Sequence, residues 1–106
     1  MSDTRALETL GRVGTALADP TRRRILLILT QGPAYPTEIA DRIGASRPKI
    51  SNHLTCLRGC GLVSATREGR QIRYELASPR LSHALLDLVD LELDIDESHV
   101  DLDDRA

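Results

Sequence analysis

The stretch YPTEIADRIGASRPKISNHLTCLRGCG, residues 35–61, leaves the chain few choices of fold. Its first part reads as a short helix with Pro36 in the first turn and Gly44 at the end. Its second part reads as another helix, capped by Ser46 and broken at Gly59 and Gly61. Only Gly44 and Ala45 separate the two. With so tight a turn, Ile39 and Ile43 on one helix and Ile50, Leu54 and Leu57 on the other must share one interior. Two helices joined in this way form a helix-turn-helix.

The flanking sequence supplies the rest of a domain. DTRALETLGRVGTALAD spaces Leu7, Leu10, Val13 and Leu17 as one apolar stripe of a first helix, with Gly11 and Gly14 allowing close packing. DPTRRRILLILTQG starts a second helix with Asp19 as N-cap and Pro20 at the first helical position, and it stops at Gly32. After Gly61, LVSATREGRQIRYELAS alternates on both sides of Glu68-Gly69-Arg70. Leu62, Ser64 and Thr66 precede the turn and Ile72, Tyr74 and Leu76 follow it, which predicts a β-hairpin. SPRLSHALLDLVDLELDID begins a last helix at Ser78 and Pro79, with Leu81, Leu85, Leu88 and Leu91 or Leu93 at helical spacing. That stripe has two outlets: it completes the core, or it packs with the first helix against a second copy of the chain. The expected architecture is mainly α with a β-hairpin wing, a winged helix-turn-helix over residues 1–98 followed by an acidic C-terminal tail at 99–106.

At 106 residues the chain suits a binding module better than the deep cleft of an enzyme. His53 and Cys56 stand three apart and could form a thiol–imidazole pair, but no third group accompanies them, so no catalytic activity is expected. There is no apolar run long enough to cross a membrane and no charged-then-apolar leader, and a cytoplasmic location without a membrane partner is expected. The net charge of −2 hides an asymmetry. Residues 1–80 hold 13 basic and 7 acidic side chains, a balance of +6, while residues 81–106 hold 1 and 9, a balance of −8. The body can therefore meet phosphate and the tail would repel it. With two tyrosines and neither Phe nor Trp, a stacking platform for single strands or RNA is not expected.

In a helix-turn-helix the second helix enters the major groove and presents its N-terminal side chains to base edges. Here these are Ser46, Arg47, Lys49, Ser51, Asn52 and His53. Arg47 and Lys49 suit guanine or phosphate, Asn52 suits adenine, and the serines suit backbone oxygens. Arg67, Arg70 and Arg73 on the hairpin would follow neighbouring phosphates or enter the minor groove. Double-stranded DNA is the expected partner. At the other end of the same helix, Cys56 and Cys60 lie at i and i+4 and share a helical face. In a reducing compartment such a pair is a metal site, a redox pair or packed core, and spacing alone does not choose. Thiolates of this kind suit Cd(II), Pb(II) or Zn(II), but two ligands do not complete a site.

The order of elements resembles the ArsR/SmtB family of metal-responsive winged-helix repressors over nearly the whole chain. LADPTRRRIL is similar to the family's second-helix signature, SRPKISNHLTCLRGCGLV to its recognition helix and REGRQIRYEL to its wing; the likeness extends to its cadmium- and lead-sensing members. The resemblance implies a homodimer through the first and last helices that binds operator DNA when metal-free and releases it when a soft divalent metal binds. It also implies a third ligand, a tail cysteine contributed across the dimer. This chain has no such cysteine, and His99 stands at that position, flanked by Asp96, Glu97 and Asp101. A Cys56, Cys60, His99 set would be less selective for lead and more tolerant of zinc than three thiolates. The arsenic-sensing arrangement needs cysteines in YPTEIADRIG, which has none. The zinc- and nickel-sensing arrangement on the last helix is an alternative, in which the cysteines are structural. His83, Asp94 and Glu97 have roughly its spacing, but Leu81 stands where the first Asp is required.

Overall fold

The computed structural model describes residues 2–96. Seven elements follow one another: α1 (Asp3–Ala18), α2 (Pro20–Thr30), α3 (Pro36–Ile43), α4 (Arg47–Gly59), β1 (Val63–Glu68), β2 (Gln71–Leu76) and α5 (Pro79–Val89). Four of the five helices open on a side chain that accepts an otherwise orphaned amide. Ser2 accepts from the Arg5 N–H, Asp19 from Arg22, Ser46 from Lys49 and Ser78 from Leu81, at 3.0–3.3 Å. Helix α3 begins differently: the Tyr35 N–H donates to Glu38 Oε1 at 3.1 Å.

Between α3 and α4 the chain turns on Gly44, whose φ of 79° lies in the left-handed region that a side chain disfavours. The Gly44 and Ala45 amides both donate to the Ala40 carbonyl, at 2.8 and 3.1 Å, and this double bond closes the two-residue connection. The expected inward residues are inward. Ile39, Ile50, Leu54 and Leu57 are fully buried with Ile25 of α2, and Ile43 is half-buried against them. Leu26, Leu29, Val63, Tyr74 and Leu85 complete the core around α2.

The hairpin register pairs Val63 with Leu76, Ala65 with Tyr74 and Glu68 with Gln71. The loop is therefore two residues, Gly69-Arg70, and only Gly69 has positive φ, as a turn with a strained first central position requires. Val63 and Ala65, not Leu62 and Ser64, are the strand residues that turn toward Tyr74. Leu62 is buried just before the strand begins, at the exit from α4. An addition that the sequence does not announce is a bridge from the α2–α3 connection. Ala34 exchanges two 2.9 Å hydrogen bonds with Tyr74 and so ties the base of the wing to the body.

The last helix is shorter than its leucine spacing predicts. It ends at Val89 with Asp90 as C-cap, and residues 91–96 have no regular secondary structure, so Leu91 and Leu93 do not extend the stripe. Asp87, Asp90, Glu92 and Asp94 crowd the negative end of the helix dipole and no basic residue in the last turn offsets them, which opposes further turns. Of the predicted stripe, Leu85 is buried, Leu81 is half-buried and Leu88 is exposed. No helix among the described residues is long and apolar enough to cross a membrane. The tail at 99–106 lies outside the described residues.

Candidate nucleic-acid interface and thiol pair

Helix α4 divides its side chains cleanly. Because Ile50, Leu54 and Leu57 anchor one face in the core, the residues between them are turned away from it. Arg47, Lys49, Ser51 and Asn52 are all exposed near the N-terminal end of the helix, with the Ser46 hydroxyl accepting from the Lys49 amide. They form one outward surface.

His53 departs from that surface. Its side chain is only 17% exposed and is turned to the corner between α1 and α2. There Nε2 lies 3.7 Å from Asp19 Oδ2, and Nδ1 lies 3.5 Å from Arg22 Nη1. The structure thus sets His53 apart from the other expected base contacts: three residues after Ile50 and four before Leu57, it lies at the edge of the buried stripe. Asp19 is held below the ordinary aspartate pKa, first by the hydrogen bond from the Arg22 amide. Partial burial works against that shift and electrostatic attraction to the neighbouring imidazole assists it.

On the wing, Arg67 and Arg70 are exposed and Arg73 is half-buried. Arg73 Nε stands 3.5 Å from Glu68 Oε2, an ion pair without hydrogen-bond alignment. The other Glu68 oxygen accepts the Tyr35 hydroxyl at 2.5 Å, and this bond to a carboxylate raises the Tyr35 pKa above its ordinary value. Glu68 therefore links the start of α3 to both strands. Arg73 is less free to track phosphate than Arg67 or Arg70. Arg47 and Arg70 line a shared cleft of about 290 Å³ with Tyr35, Ser51, Gln71 and Ile72. The start of α4 and the wing tip thus border one cleft.

Cys56 is exposed and Cys60 half-buried, both as free thiols. Cys60 caps the helix, donating its amide to the Cys56 carbonyl at 3.0 Å, and packs beside the core. Exposure argues against a purely space-filling role for Cys56 and leaves Cys60 with both faces of the question. Among the described residues no group of three or more His, Cys, Asp and Glu side chains is gathered as a metal site. His83 stands exposed on α5 and Asp94 lies beyond its end, while Glu97, His99 and Asp101 lie outside the described residues.

Sequence reasoning took Asp19 for a helix cap and Glu68 for a turn residue, and missed Arg22 and Tyr35. Asp19 and Glu68 are nodes because their carboxylates have a second oxygen or lone pair to offer a distant element, which no local pattern reveals.

Residues 19–65, from the cap of α2 into β1, match the family described as "Bacterial regulatory protein, arsR family". The chain is 53% identical over 97 residues to the HTH-type transcriptional regulator CmtR of Mycobacterium bovis and Mycobacterium tuberculosis, an alignment covering 92% of this chain and 82% of that protein. This chain belongs to the ArsR family. It is a winged helix-turn-helix transcriptional regulator, as its fold and its relatives agree. Among solved structures it is similar to the cadmium metal-sensor CMTR from Mycobacterium tuberculosis, with 56% identity and a TM-score of 0.66 over 81% of this chain and 90% of that one. It is also similar to the homodimeric winged helix-turn-helix DNA-binding domain Mb0332 from Mycobacterium bovis, with 34% identity, a TM-score of 0.75 and 84% of each chain covered.

Proposed function

We propose that this ArsR-family regulator is a homodimeric, cytoplasmic repressor that binds duplex operator DNA when metal-free and releases it on binding a soft divalent metal. Cadmium or lead is the preferred effector and zinc is tolerated. The observation that carries the reading is the make-up of α4: exposed Arg47, Lys49, Ser51 and Asn52 at one end, accessible Cys56 and half-buried Cys60 at the other. One rigid helix then holds both the reading head and two ligands. Similarity to a cadmium sensor supports the choice of metal.

Cys56 and Cys60 supply two soft donors, and His99, from the tail across the dimer, is the proposed third. Bound there, the ion would contribute bonds that exist only when recognition helix and tail are held together. Operator binding and metal binding then favour different placements of α4, and a coupling of about 1–3 kcal/mol is enough to clear a site near its threshold. A dimer is supported by the apolar residues that one copy leaves uncovered. Leu7 and Leu10 of α1 and Leu86, Leu88 and Val89 of α5 are exposed, and an apolar groove of about 160 Å³ lies between Leu17, Leu27, Leu85 and Val89. Two copies related by a two-fold axis would present two reading helices to an inverted repeat. No catalytic role is proposed, since His53 is engaged by Asp19 and Arg22.

The test is a titration of the purified full-length chain with Cd(II), following thiolate-to-metal absorption and binding to an inverted-repeat operator in the same samples. The expected result is a dimer whose operator affinity is high and salt-sensitive without metal, and falls as the absorption band grows. A monomer indifferent to duplex DNA, or an absorption band with no change in operator binding, would overturn the proposal.

A further inference from the structure

Asp19 is the single residue between α1 and α2, and its surroundings form a junction of three elements. Its Oδ2 accepts the Arg22 amide at 3.0 Å and faces His53 Nε2 at 3.7 Å. The Arg22 guanidinium reaches back over the end of α1, donating from Nη2 to the Thr15 carbonyl at 2.8 Å and from Nε to the Ala16 carbonyl at 3.3 Å. These are carbonyls of the last helical turn, which lack partners within the helix. The remaining nitrogen, Nη1, faces His53 Nδ1 at 3.5 Å. Guanidinium can only donate, so the neutral tautomer that suits this geometry is the one in which Nδ1 accepts and Nε2 carries the proton, toward the Asp19 carboxylate. Both edges of the imidazole are matched to what they meet.

His53 follows Asn52 directly and precedes Cys56 by three residues, so it sits between the reading side chains and the thiols. Its partners sit where α1 ends, and α1 is the helix whose first turns expose Leu7 and Leu10.

We infer that His53 is a positioning residue: with Asp19 and Arg22 it clamps the recognition helix to the α1–α2 corner, and through that clamp the dimer face and the reading head move as one body. This rests on the repressor reading above and adds to it the route by which metal at the thiols is felt across the dimer. A shift of α4 that brings Cys56 and Cys60 to a third donor must carry His53 with it. While the clamp holds, the shift is passed to α1 and to the partner copy. Without it, α4 can adjust alone and the second reading head stays in place.

Three variants separate this role from its rivals. His53→Leu keeps the bulk and removes both ring nitrogens. Asp19→Ser keeps an oxygen to cap α2 but withdraws the carboxylate from His53. His53→Gln returns an N–H donor toward Asp19. Operator binding is measured on the full-length dimer, first without metal, against the intact operator and a set of single-base substitutions. His53→Leu should weaken binding to all of them alike, with an unchanged salt slope, because no base or phosphate contact is lost. Loss of discrimination at one base position would instead make His53 a base reader and overturn the inference. With Cd(II) added, His53→Leu and Asp19→Ser should form the thiolate absorption band as the unaltered chain does. Their ratio of operator affinities without and with metal should shrink by about tenfold. His53→Gln should recover most of that ratio. An undiminished ratio in His53→Leu, or a lowered thermal midpoint with normal coupling, would reduce His53 to a packing residue. If Cd(II) released no operator from the unaltered chain, the repressor reading would fail by itself, and the metal-free series would still decide whether His53 reads bases or positions the helix.

Discussion

Helices α4 and α1 carry apolar stripes of the same spacing, yet Ile50, Leu54 and Leu57 of α4 are fully buried while Leu7 and Leu10 of α1 are 69% and 67% exposed. Helix α4 is surrounded by α2, α3 and β1 of its own chain. Among the described residues helix α1 packs chiefly on α2. Its last turns are used, with Ala16 buried and Val13 and Leu17 half-buried, and its first turns overhang the domain. The difference teaches that the chain folds around α4 and leaves the first turns of α1 uncovered, as the proposed dimer requires. Burying a leucine stabilises by about 1.5–3 kcal/mol, so four or more such residues per copy are a strong drive to pair.

The comparison is broken most severely at its buried end. Leu54→Ala should lower stability by about 2–5 kcal/mol in urea unfolding, since the surrounding helices cannot collapse onto the space. At the exposed end, Leu10→Ala should leave the unfolding of a single copy almost unchanged. It should weaken dimerisation by about 1.5–3 kcal/mol, read as a shift toward monomer in sedimentation at low protein concentration. Arg47→Ala or Asn52→Ala should do neither, but should cost roughly 1–3 kcal/mol of operator binding with dimer and metal affinity intact. A pH series sharpens the corner where the two helices meet. Because Asp19 is held below its ordinary pKa, its contribution is present at neutral pH and lost as pH falls through that lowered value. Asp19→Asn keeps the cap and has no proton to gain, so urea midpoints measured below about pH 4 should fall less steeply for it than for the unaltered chain.

The parts of this fold that were legible in the sequence are those set by local chemistry. Asp19-Pro20, Ser46, Ser78-Pro79 and Gly44 mark helix ends because each satisfies an orphan amide or supplies a left-handed turn within a few residues. Distant pairings left no such mark. The Ala34–Tyr74 bridge joins a loop to a strand forty residues later, and Tyr35 finds Glu68 only because that bridge brings the wing back. His53 was within reach of sequence reasoning. Its spacing to Ile50 and Leu57 puts it at the edge of the buried stripe, but a histidine beside Asn52 on a reading helix invites the outward interpretation. The end of α5 was misjudged because leucine spacing was weighed and the acidic residues at its C-terminal end were not.

That one helix both reads DNA and receives the metal is tested most directly by the two thiols themselves. Cys56→Ser and Cys60→Ser proteins are compared with the unaltered chain for operator binding by fluorescence anisotropy, before and after Cd(II) is added. If the thiols are effector ligands, both variants bind the metal-free operator nearly as well as the unaltered chain and stay bound when cadmium is present. If instead either variant loses operator binding in the absence of metal, or is released by cadmium as readily as the unaltered chain, the thiols serve the fold and the sensing role assigned to them is wrong.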